Sequence, residues 1–166
     1  METNLFIKAV TEFYNSEKNL FLAIIIIGIS SIAVGFAFWY FSHNYKAFGI
    51  TLMILGLLET GIFGYNLNIQ QKKIEDKVQV IKADDGSFVD AENAHTVRMT
   101  KSYFAIKLFY SSLILASVVV INYSNKQMLN AVLMALIIHL ALAITIDNVA
   151  DNYTRRYKAA LHLLEN

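Results

Sequence analysis

NLFLAIIIIGISSIAVGFAFWYFS, residues 19–42, is the stretch that decides the fold. It carries no charged side chain, and Ile24, Ile25, Ile26 and Ile27 stand together in it. A helix rises about 1.5 Å per residue, so a run of this length spans the roughly 30 Å of bilayer hydrocarbon. In lipid a helix satisfies its own backbone hydrogen bonds, which an isolated strand or loop does not. The run is too long, and preceded by too much polar sequence, to read as a signal peptide.

Three further apolar runs follow at residues 45–69, 103–121 and 128–150. Each is about 19–25 residues long, again the length of a span. The expected fold is therefore all-α: a four-transmembrane-helix bundle forming one integral membrane domain over residues 1–166. Composition agrees. Hydrophobic residues make up 56% of the chain and charged residues 16%, against roughly 25% charged in soluble domains. The mean hydropathy is +0.46. A net charge of +1 argues against nucleic acid as a partner, which calls for a strong basic excess. The lipid bilayer is the first partner expected.

The short links His43 to Lys46 and Asn122 to Gln127 make runs one and two, and runs three and four, antiparallel neighbours. Orientation follows from the cations. Lys8 and Lys18 precede the first span; Lys72, Lys73, Lys77, Lys82, Arg98 and Lys101 lie between the second and third; Arg155, Arg156 and Lys158 follow the fourth. These eleven of the 14 cations share one side of a four-span chain. The short links hold only Lys46 and Lys126. The positive-inside rule then puts both termini in the cytoplasm. Trp39, Tyr40 and Tyr45 fit an aromatic belt at the outer face. The abundance of Ile, Asn and Lys points to an AT-rich bacterial genome, and so to an inner membrane.

The polar segments carry pattern too. Phe6, Ala9, Val10, Phe13 and Tyr14 recur at helical spacing, which predicts a short amphipathic helix lying in the interface. Asn15 and Ser16 would then cap the first span. In residues 70–102, Ile74, Val78 and Ile81 extend span two as an amphipathic helix. Asp84-Asp85-Gly86 is a turn signal, and Ser87 with Asp90 resembles a capping box. Phe88, Ala91, Ala94, Val97 and Met99 then lead into span three. A cytoplasmic helical hairpin of about 20 Å is expected, at about 1.5 Å per residue, and it is the candidate surface for a protein partner.

In lipid, helices pack through small residues. Gly28 and Gly35 on span one, Gly49 and Gly56 on span two, and Ala131 and Ala135 on span four are the candidate packing positions, within the chain or in a homo-oligomer.

Ionisable residues inside a span are costly and mark function or tight pairing. Glu59 in span two and His139 in span four both lie about 18–20 Å from the outer end, counted at about 1.5 Å per residue. If those spans meet, the carboxylate and the imidazole can bond, and such a pair can hold or pass a proton. The bland alternative is a purely structural bond, or separate bonds to Thr60, Ser111 or Ser112. A second polar cluster, Tyr65, Asn66, Lys107, Asp147, Asp151 and Arg155, gathers toward the cytoplasmic end. Asp151 and Arg155 form a favourable i, i+4 pair, and Lys107 with Asp147 is the expected interhelical ion pair. Snorkelling anchors are the bland reading here.

Much chemistry is excluded. With no cysteine there is no thiolate metal site or cysteine nucleophile. His43 and His139 sit at different depths, so they cannot share one haem iron within a single chain. No P-loop, HExxH or nucleophile elbow is present. No metal and no cofactor is expected. The first function expected is a non-enzymatic interaction protein: an accessory subunit, or a regulatory or immunity-type partner. The second is an oligomeric small transporter or a proton or ion channel using Glu59 and His139. The third is an enzyme acting on a lipid.

Overall fold

A computed structural model of the chain describes the backbone of residues 2–83 and 85–165, and the side chains of residues 4–83 and 88–162. Among the described residues there are four α-helices and no strand: α1 (Glu2–Phe41), α2 (Lys46–Ala83), α3 (Asp85–Tyr123) and α4 (Gln127–Glu165). Each is long and apolar enough to cross a membrane, which is the character of an integral membrane protein. With 38 to 40 residues apiece, each is about 57–60 Å long, twice the hydrocarbon thickness. Every helix therefore has an apolar half and a polar half. The apolar halves meet the short links at residues 42–45 and 124–126 (the link end). The polar halves surround the α2–α3 junction at residue 84 (the junction end).

In the apolar halves little is covered by protein. Of the most apolar stretch, 17% of residues are buried in α1, α2 and α4 and 6% in α3. Such side chains would be costly to expose to water at roughly 25 cal/mol per Å², but they suit lipid. At the link end, the Ser42 amide donates to the Phe38 carbonyl (3.1 Å), closing α1. Ser124 Oγ accepts from the Lys126 amide (3.2 Å), and Asn130 Nδ2 donates to the Ser124 carbonyl (3.0 Å), fixing the entry to α4.

α1 lies along α2, and α3 along α4; α4 also packs on both α1 and α2, while α3 meets α2 little. Glycines set the α1–α2 contact. A Cβ built on Gly35 would stand 2.5 Å from the Gly49 carbonyl oxygen, and one on Gly28 2.9 Å from that of Gly56. The reciprocal approaches, Gly49 on the Gly35 carbonyl and Gly56 on the Gly28 carbonyl, are of the same kind. The two backbones touch at both levels, which only residues lacking a Cβ permit. Ala131 and Ala135 are buried on α4.

Among the described residues, a large hydrophobic cluster sits at the junction end. Phe6, Val10, Phe13 and Tyr14 of α1 meet Ile74 and Ile81 of α2, Phe88 and Val89 of α3, and Tyr157 and Leu161 of α4. The Phe13 and Tyr157 rings stack, with centroids 4.3 Å apart. This is a water-type bundle core appended to the apolar layer, and it corrects one expectation. There is no separate amphipathic helix: α1 runs unbroken from Glu2 to Phe41. No Pro or Gly interrupts residues 5–18, and Ser16 Oγ donates to the Glu12 carbonyl (2.8 Å) instead of capping a new helix. Its apolar face is covered by the other three helices, not by an interface. α2 and α3 do continue as helices to either side of residue 84, with residues of α1 and α4 packed beside them. α3 begins at Asp85, so Ser87 lies inside the helix; Asp84 falls outside the described residues.

Ala91 and Ala94 are exposed, while Phe88, Val89, Glu92 and Thr96 are buried. Glu92 accepts from Lys77 of α2 and from the Tyr157 hydroxyl (3.1 Å) of α4. Gln70 Nε2 donates to the Tyr14 carbonyl and to Glu17, each at 3.1 Å. Polar bonds thus tie α1 to α2, α2 to α3 and α3 to α4 within one core.

Candidate functional site

Deep in the apolar halves, α2 brings Glu59 and α4 brings His139 to one level. Their side chains meet, Nε2 to Oε1, at 3.1 Å, and are only 15% and 11% exposed. The remaining heteroatoms, Glu59 Oε2 and His139 Nδ1, are buried without a hydrogen-bond partner. Nearby hydroxyls do not compete for the pair. Thr60 Oγ1 donates to the Gly56 carbonyl (2.8 Å), and Ser112 Oγ to the Leu108 carbonyl (2.9 Å), each on its own helix.

The pair lines a cavity of about 360 Å³ between the four helices. Leu20, Phe21 and Ile24 of α1 and Phe63 of α2 form an apolar wall; Tyr103 and Tyr110 of α3 and Asp147 of α4 bring further polar groups. Asp147 lies eight residues beyond His139, on the same face of α4. Its Oδ2 is also buried without a partner. No group of three His, Asp or Glu side chains is placed to hold a metal ion among the described residues.

The second cluster separates into parts. Lys107 bonds Asp151 Oδ2 at 3.0 Å and Asn148 Oδ1 at 3.1 Å, not Asp147 as expected. Its stem reaches one turn further toward the polar half, where the ammonium head is better solvated. Asp151 is shared: Arg155 Nε donates to its other oxygen at 3.0 Å. Tyr65 is 68% exposed, and neither it nor Asn66 lines the cavity. The packing positions Gly28, Gly35, Gly49 and Gly56 sit on the α1–α2 seam.

Sequence reasoning missed Tyr103 and Tyr110, and with them Gln70, Glu92 and Tyr157. A usable signal existed on α3. Glu92, Thr96, Tyr103, Lys107, Tyr110 and Ser117 recur at helical spacing as one polar stripe along α3, and none of them is exposed. In a membrane helix the polar stripe marks the inward face.

The fold and site thus define an all-helical protein with four helices fit to cross a membrane and a carboxylate–imidazole pair buried in its apolar layer. Comparison with protein families, curated proteins and solved structures gives no match for this chain.

Proposed function

We propose that the chain is an integral protein of a bacterial inner membrane, with both termini in the cytoplasm, that conducts protons or small cations as an oligomeric small transporter or channel. The observation that carries this reading is the Glu59–His139 contact of 3.1 Å beside a cavity of about 360 Å³. An ionisable pair removed from water stabilises a fold less than well-packed apolar residues of the same volume, and in a span it defaults to function. The cytoplasmic assignment of the junction end is supported by the eleven cations gathered there, and the bacterial one by composition alone.

The test is proton flux into liposomes carrying a trapped pH-sensitive dye. The wild-type protein is expected to dissipate an imposed gradient, and Glu59→Gln to reduce the rate to that of empty vesicles while its thermal unfolding in detergent stays cooperative. Undiminished flux in the folded variant would sink the reading.

A second reading, that the protein acts by binding a partner in the membrane, is favoured by Gly61 and Gly64. A glycine inside a helix costs about 1 kcal/mol relative to alanine. Close backbone approach offsets that cost at the four seam glycines. At Gly61 and Gly64, nothing from this chain comes within 4 Å of an added Cβ. A helix from a second copy, or from another protein, fits there. Native mass spectrometry in mild detergent separates the two: a homo-oligomer supports transport, and a stoichiometric complex with another protein supports an accessory, regulatory or immunity-type role. The third reading, a lipid enzyme, gains little, since Asp151 is occupied by two cations.

A further inference from the structure

Between the polar halves of α3 and α4 runs an open groove of about 540 Å³. Lys101 lines it from α3, and Arg155, Lys158 and His162 from α4, with Val97, Thr100 and Ala159 completing the wall. No carboxylate is among the described residues that line it. Asp151, which holds Arg155, also neutralises Lys107, so the groove keeps a clear positive excess from Lys101 and Lys158.

Its height is informative. Lys101 stands two residues outside the apolar run at 103–121; Arg155 and Lys158 stand five and eight residues past the run at 128–150. At about 1.5 Å per residue that is about 3, 8 and 12 Å beyond the hydrocarbon edge. The headgroup layer of one leaflet is roughly 5–8 Å deep, so the cations bracket the level of lipid phosphates. Directly below Lys101 on the same face of α3, at i+3 and i+7, stand Phe104 and Leu108, 69% and 60% exposed. A basic pocket thus continues into an apolar track at acyl-chain depth.

We infer that this groove binds one anionic phospholipid, its phosphate paired by Lys101 and Lys158 beside Arg155, its acyl chain lying along Phe104 and Leu108. The charge selects an anion, since basic pockets between helices at the membrane surface take acidic headgroups. The apolar track selects a lipid over a soluble phosphate. The site is separate from the Glu59–His139 cavity and stands whether or not the chain conducts protons.

The test uses the full chain, delipidated in detergent and titrated with phosphatidylglycerol or phosphatidylcholine under native mass spectrometry. One saturable phosphatidylglycerol adduct is expected, with phosphatidylcholine weaker. The Lys101→Gln/Lys158→Gln double variant should weaken it by roughly tenfold or more, at about 1 kcal/mol per cation. The charge-matched control Lys72→Gln/Lys82→Gln, exposed on α2, should leave it unchanged, and Phe104→Ala/Leu108→Ala should weaken it several-fold, as lost acyl contact predicts. Circular dichroism of each variant confirms that helicity is retained. An adduct that survives in the double variant, or falls equally in the control, overturns the inference. So does inorganic phosphate binding with the same lysine dependence and no effect of Phe104→Ala/Leu108→Ala, which would make the groove a soluble-anion site.

Discussion

At the scale of single residues, two of the described ionic contacts differ in kind. Glu59 and His139 meet in the apolar layer, 15% and 11% exposed. Glu92 lies in the junction-end core, fully buried, between Lys77 and the Tyr157 hydroxyl. Removing one partner of a buried pair leaves an uncompensated charge and costs about 3–5 kcal/mol, whereas replacing both with apolar groups is often neutral. Lys77→Met should therefore lower the thermal unfolding temperature sharply, and Glu92→Met should restore most of that loss in the double variant. Calorimetry or circular dichroism in detergent reads both. Tyr157→Phe removes a single bond and should cost about 1–3 kcal/mol. If Lys77→Met proves silent, Lys77 is a surface lysine and Glu92 is held by other groups.

At the scale of elements, the six described interior glycines divide into two populations. At Gly56 an added methyl would press on the Gly28 carbonyl, a backbone atom that cannot give way. Gly56→Ala should destabilise by about 1–3 kcal/mol despite its better helix propensity, because overpacking outweighs the propensity gain of about 1 kcal/mol. Gly61→Ala meets open space and should stabilise the monomer by up to about 1 kcal/mol. Gly61→Leu adds a sharper comparison. It should leave the monomer folded and abolish association if another helix docks at that face. Unfolding scans paired with native mass spectrometry of the three variants decide between packing and docking.

At the scale of the whole molecule, the arrangement across the membrane is directly testable because the chain contains no cysteine. Single cysteines at Asn44 and Asn125, both exposed at the link end, should react with an impermeant maleimide on intact cells. Cysteines at Lys72 and Arg156 should react only after permeabilisation. The reverse pattern would invert the orientation read from the cations. Much of this architecture was legible in the sequence. Spans announce themselves because lipid imposes one length and one polarity on every helix that crosses it. Counting from the span ends also puts Glu59 and His139 at one depth. Their contact needs α2 and α4 to be adjacent, and nothing local to either helix encodes that. Lys107 went to Asp151 instead of Asp147 because a long flexible stem spans a whole turn, which depth counting cannot resolve. The amphipathic face at Phe6 to Tyr14 was legible as a face. What covers it was not, since its partners, Ile74, Phe88 and Leu161, come from three distant parts of the chain. Glu92 and Thr96 were passed over because an apolar pattern was sought, whereas the buried face there mixes Phe88 and Val89 with these two polar residues.

The unequal packing of the four helices has a mechanical consequence. α1 and α2, meshed at two levels seven residues apart, cannot slide past one another without forcing a backbone through a backbone, so they behave as one stiff plate. α3 touches mainly α4, and it is tied to α2 through the junction. It is therefore the leaf of the assembly that can swing, and it carries Tyr103 and Tyr110 with it. Amide exchange in detergent should follow this division, slow along the facing stretches of α1 and α2 and fastest among the transmembrane segments in the link-end half of α3. Uniform exchange across all four helices would mean that the bundle breathes as a single body.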